Sequence, residues 1–80
     1  MSLKKFSRKL SNRTGQDTKY IRFHDIYGYP VVEFKRPSNS SFSTQIEHLS
    51  KLYNVDAVSV RSNEEETVMY FAKKDNIPTM

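Results

Sequence analysis

Lys4, Lys5, Arg8, Lys9 and Arg13 put five cations in the first fourteen residues, and no carboxylate precedes Asp17. Ammonium and guanidinium groups in that density neutralise phosphates, with an affinity that falls steeply as salt rises. Leu3, Phe6 and Leu10 step by three and four, a helical spacing that leaves the cations on the remaining faces. A second set alternates along two strand-like runs. Tyr20, Arg22 and His24 fall opposite Ile21 and Phe23, while Val31, Glu33 and Lys35 fall opposite Val32 and Phe34. Tyr70 is expected to join the polar side, with Tyr27 and Tyr29 at a hairpin tip and Arg36 closing the second run. Aromatic rings between cations suit single-stranded nucleic acid: each stacked base contributes about 1–3 kcal/mol, and Lys and Arg hold the phosphates. The expected binding set is Lys4, Lys5, Arg8, Lys9, Arg13, Tyr20, Arg22, His24, Lys35 and Arg36.

Each group has other readings. Tyr and Arg paired across strands stabilise an exposed sheet without any ligand. The basic segment with its apolar stripe suits an anionic membrane surface or a groove on a partner protein. Its Arg- and Ser-rich, acid-free character is also that of an organelle-targeting segment, whereas a secretory signal is not expected because no apolar run follows Met1. The interleaved rings and cations resemble the RNA-binding surface of the RRM, although the element order differs and the RRM's aromatic signature is missing. Asp25…Glu33-Phe-Lys35 resembles the D…E-x-K pattern of the PD-(D/E)xK nucleases. That resemblance implies a divalent metal held by Asp25 and Glu33, with Lys35 orienting water. The gap between the two acids is short for that family.

Other chemistry is excluded more firmly. No cysteine is present, so neither a disulfide nor a thiolate zinc site can form. His24 and His48 lack metal-ligand spacing, and two glycines cannot build a nucleotide-binding loop. The reading is therefore non-enzymatic, with no cofactor and no metal.

The elements that must position these residues follow from period and punctuation. Residues 1–17 read as a basic flexible arm, helical when docked, with Thr14-Gly15-Gln16-Asp17 as its hinge. Residues 19–24 and 31–36 form a hairpin around Gly28 and Pro30. Phe42, Ile46, Leu49 and Tyr53 mark an amphipathic helix, started by Ser41, Ser43 or Thr44 and stopped at Asn54. Residues 55–61 and 67–73 form a second hairpin around an acidic loop, with Val58 and Val60 sharing one face. The expected architecture is α+β: a ββαββ two-layer sandwich over residues 18–74, with a four-stranded, mostly antiparallel sheet, one covering helix and a tail at 75–80. The uncovered sheet face is then the place for function.

Eighty residues allow one small domain. Ile, Leu, Val and Phe supply 19 of them, enough to fold a core but with no covalent staple. The formal charge of +4 is unevenly placed: residues 1–36 carry +6 and residues 37–80 carry −2. An anionic partner is thus directed to the first half. The leading expectation is a cytoplasmic nucleic-acid-binding or regulatory module for DNA or RNA. The competing one is a protein-interaction module, an adaptor or inhibitor of a larger enzyme, docking on a partner or a second copy through its sheet edges. Ten Ser and eight Lys against two Ala hint at a phage or mobile-element source. No run is apolar enough for an integral membrane segment. Deleting residues 1–14 is expected to remove nucleic-acid affinity while leaving sheet docking intact.

Overall fold

β-Branched and aromatic residues alternating with polar ones give four strands, because each strand can bury one row of side chains and solvate the other. The computed structural model describes residues 3–25 and 28–77. Its elements are α1 (Leu3–Thr14), β1 (Ile21–His24), β2 (Val31–Pro37), α2 (Ser43–Tyr53), β3 (Val55–Ser62) and β4 (Glu66–Lys73). Short 3-10 turns lie at Thr18–Tyr20 and Lys74–Asn76. The strands form one antiparallel sheet in the order β1-β2-β4-β3. The α+β class and the ββαββ order after residue 18 are as expected. No helix among the described residues is long and apolar enough to cross a membrane.

Register divides the sheet into two faces. Ile21 pairs with Phe34 and Phe23 with Val32, while Val32 faces Phe71 and Phe34 faces Met69. These residues lie on the side that meets the helices, where Val32, Phe34, Val55 and Phe71 enter the core with Ile46, Leu49 and Tyr53 of α2. The other side carries Arg22, Glu33 and Tyr70 in one row and Lys35 and Val68 in the next. A register shift between Ala57 and Ser59 changes the phase of β3. Ala57 pairs with Phe71 and Val60 with Met69, so those two share a face across the irregularity. The strict alternation expected for Val58 and Val60 does not hold there, because the extra residue of a bulge shifts the side-chain period.

The largest correction concerns the basic segment. The segment expected as a flexible arm at 1–17, outside a domain at 18–74, carries α1 (Leu3–Thr14), a second helix of the helical layer. Phe6 and Leu10 are fully buried and Leu3 nearly so, in the same core as α2 and the sheet. The Phe6 ring meets Tyr53 and Phe71 edge to face, with centroids 6.2 and 5.3 Å away. A helix of 12 residues is marginal alone. Burial of its apolar stripe supplies what propensity does not.

The expected hinge is likewise built into the fold. Gly15 takes a left-handed φ of +74° and its N–H donates to Ser11 O at 2.8 Å, ending α1 where a side chain would strain the backbone. Ser11 Oγ donates to Gln16 O, and Gln16 Nε2 donates to Lys35 O at 2.8 Å, tying the connection to β2. Asp17 accepts from Lys19 N and opens the turn before β1.

At the start of α2 the cap position is Phe42, with no side-chain capping bond, rather than Ser41, Ser43 or Thr44. Its end is as the sequence reads: Asn54 adopts φ 56°, ψ 49°, and its N–H donates to Ser50 O. The expected tail at 75–80 begins within a turn at Lys74–Asn76, anchored by Lys74 N donating to Asn54 O. Residues 78–80 lie outside the described residues.

Candidate nucleic-acid interface

The ten residues expected to bind nucleic acid do not form one surface. Arg22, His24 and Lys35 stand on the sheet face away from the helices, and they surround a carboxylate. Glu33 is only 7% exposed. Its Oε1 accepts from His24 Nε2 at 2.5 Å, and its Oε2 lies 3.7 Å from Lys35 Nζ. Arg22 pairs with Glu33 across β1 and β2, and Tyr70 pairs with it across β2 and β4. The His24 ring lies 6.1 Å from the Tyr70 ring, tilted against it. A buried carboxylate needs such partners, since an uncompensated one is costly. His24 and Lys35 are thereby engaged with Glu33, whereas Arg22 is exposed beside it. Val31 and Ala72, on the same face, are fully buried. It is not the open, cationic platform that a stacked strand of bases requires.

Two further members, Tyr20 and Arg36, meet Lys35 in a cleft that Gln16, Pro37, Glu65 and Glu66 also line. Tyr20 is 39% exposed in the turn before β1, with the Lys19 ammonium 5.1 Å from its ring centroid. Arg36 belongs to the helix-facing row with Val32 and Phe34, opposite Thr67. Its Nε and one terminal nitrogen are buried without a hydrogen-bond partner. It lines a cleft with Ser43, Ile46 and Glu47 of α2. Even-odd alternation alone separates Arg36 from Lys35, so this split was readable from the pattern. Tyr27 lies outside the described residues.

The geometry gives the nuclease resemblance no support. One Glu33 oxygen is bonded to His24 and the other lies beside Lys35, and no cluster of three or more His, Asp or Glu forms among the described residues.

The five cations of the first segment have a different setting. Lys4, Lys5, Arg8, Lys9 and Arg13 are all exposed on α1, around the faces that Leu3, Phe6, Ser7 and Leu10 leave outside. Being on the helix side of the sheet, they are separated by its thickness from the Glu33 network. Folding fixes them on a rigid helix anchored by its own core residues. Their arrangement works against the helix that carries them. Lys4–Arg8 and Lys9–Arg13 are like-charged pairs at i,i+4, each unfavourable by about 0.2–0.5 kcal/mol. The first turn holds Lys4 and Lys5 and no acid, the reverse of what the helix dipole favours.

One neighbour was missed by reading the strand as an in–out alternation. Phe23 lies in the helix-facing row, yet it is 51% exposed. It forms a groove with Ile21, Thr18 and the Lys4, Ser7 and Arg8 side chains of α1. The cause is position: β1 is the edge strand, so α1 covers Ile21 better than it covers Phe23. Aromatic surface next to cations therefore exists, on the opposite side of the sheet from where alternation places it.

No protein-family model, curated protein or solved structure matches this chain.

Proposed function

We propose that this protein is a small non-enzymatic nucleic-acid-binding module whose contact surface is the outer face of α1. The observation that carries the reading is the concentration of five like charges on one packed helix, including pairs that lower the helix's own stability. A surface kept only for solubility gains nothing from stacking cations at i,i+4 with no acid among them. A polyanion relieves that repulsion by supplying the missing charge, and counterion release then drives association. Lys5, Arg8, Lys9 and Asn12 run along the outermost ridge, with Lys4 and Arg13 on the flanks. Relative to the sequence-based expectation, the interface loses the Glu33-centred sheet face and keeps the basic segment, now as a helix.

Fluorescence anisotropy with labelled DNA and RNA, repeated over a salt series, tests the reading. Binding at about 50 mM salt that weakens log-linearly with salt supports it. No binding to either polymer at that salt removes it.

A protein-interaction role is the second reading, and β3 is what favours it. This eight-residue strand is an outer edge of the sheet, with Val60 53% exposed beside Arg61. Unpaired edges with exposed apolar residues accept an added strand from another chain. Sedimentation velocity would reveal a second copy docked there. A pull-down that survives nuclease and high salt would favour this reading over the first.

A further inference from the structure

The edge position of β1 leaves Phe23 half exposed in a domain with few large apolar side chains. Phenylalanine carries no polar tip to solvate, unlike the tyrosines nearby. Its ring contributes to a groove whose floor continues through Ile21 and whose wall is Lys4, Ser7 and Arg8 of α1. An apolar ring within a cationic wall is complementary to a flat apolar group flanked by negative charge. A nucleotide whose base is unpaired has that form: one π-face to stack, and phosphates on either side. A base within a duplex has its faces covered by its neighbours and cannot enter. An acidic peptide would match the charge, but offers no reason for a ring at the groove's mouth.

We infer that the groove between α1 and β1 receives an unpaired base stacked on Phe23, with the adjoining phosphates on Lys4 and Arg8, which makes the ligand single-stranded nucleic acid. The inference rests on the α1 reading above and narrows it to one class of polymer. Lys5, Lys9 and Arg13 then extend the phosphate track along the helix, while Phe23 supplies the preference for an unstacked strand. Arg22 lies on the opposite face of β1 and takes no part.

The probes are fluorescein-labelled dT and rU oligomers of about 15 nucleotides and a duplex of the same length, at about 50 mM salt. Wild type should bind the single strands more tightly than the duplex. Phe23→Leu, which keeps the apolar contact and removes the ring, should weaken single-strand binding about ten-fold or more. It should leave duplex binding and the salt slope unchanged. Phe23→Trp should retain affinity, and its fluorescence should be quenched when the oligomer is added. Unchanged single-strand affinity in Phe23→Leu, or no quenching in Phe23→Trp, overturns the stacking site while leaving α1 as a phosphate-binding surface. Failure of wild type to bind any probe overturns both.

Discussion

The Phe6 ring of α1 meets the Phe71 ring of β4 at 63°, with centroids 5.3 Å apart. One contact thus joins the basic helix to a central strand of the sheet. Both rings are essentially inaccessible to solvent. The consequence is that the charged helix cannot be treated as an appendage.

Phe6→Ala is expected to lower stability by about 3–5 kcal/mol, the cost of losing a buried ring and leaving a cavity. A domain of this size has roughly 4–12 kcal/mol in total. Urea denaturation followed by circular dichroism should show a large fall in midpoint, or an unfolded protein. A midpoint unchanged from wild type would mean that α1 does not belong to the core.

Deletion of residues 1–14 follows from the same contact. The sequence alone suggests that this truncation separates arm-dependent from sheet-dependent binding. Because Leu3, Phe6 and Leu10 lie in the core, the truncated chain should instead fail to fold. A dispersed amide spectrum from it would contradict the packing described above. Charge-neutralising substitutions on the outer face are the better instrument, since exposed positions usually change stability by less than about 0.5 kcal/mol.

The strands, α2 and its left-handed stop were legible because each has a local cause: alternation, a three-four apolar stripe, and an Asn after the last turn. Asn54 illustrates this well. At φ 56° it should tolerate Gly, whereas Asn54→Val should cost about 1–2 kcal/mol through its β-carbon. Equal urea midpoints for Val and wild type would contradict that backbone assignment. What sequence could not supply were the non-local terms. The stability of α1 comes from Tyr53 and Phe71, far along the chain. The exposure of Phe23 depends on β1 being an edge strand, which alternation does not encode. The burial of Glu33 depends on His24, Lys35 and Tyr70 meeting around it from three strands. The expected binding residues were consequently legible as types, but not the several surfaces over which the fold distributes them.

Glu33 provides a test of that split. Glu33→Ala removes the acceptor for His24 and a charge partner of Lys35, and should cost about 1–3 kcal/mol. Glu33→Gln keeps the shape and should cost less. Neither should change nucleic-acid affinity if the sheet face is not the interface. A ten-fold gain in affinity on Glu33→Gln would restore Arg22, His24 and Lys35 as phosphate contacts. Magnesium-dependent cleavage by wild type, lost in Glu33→Ala, would revive the nuclease resemblance.

The most direct test is the salt dependence of nucleic-acid binding for wild type and for the variant carrying Lys5→Gln, Arg8→Gln and Lys9→Gln. Each phosphate contact adds about 0.7 to the magnitude of the log–log slope for a single strand and about 0.9 for a duplex. Removing three contacts should therefore flatten the slope by about two to three and weaken binding at low salt by orders of magnitude. The folded spectrum should match wild type, and the urea midpoint should hold or rise slightly because the like-charged pairs are relieved. A variant that binds with the wild-type slope and affinity would show that the outer face of α1 is not where the ligand sits.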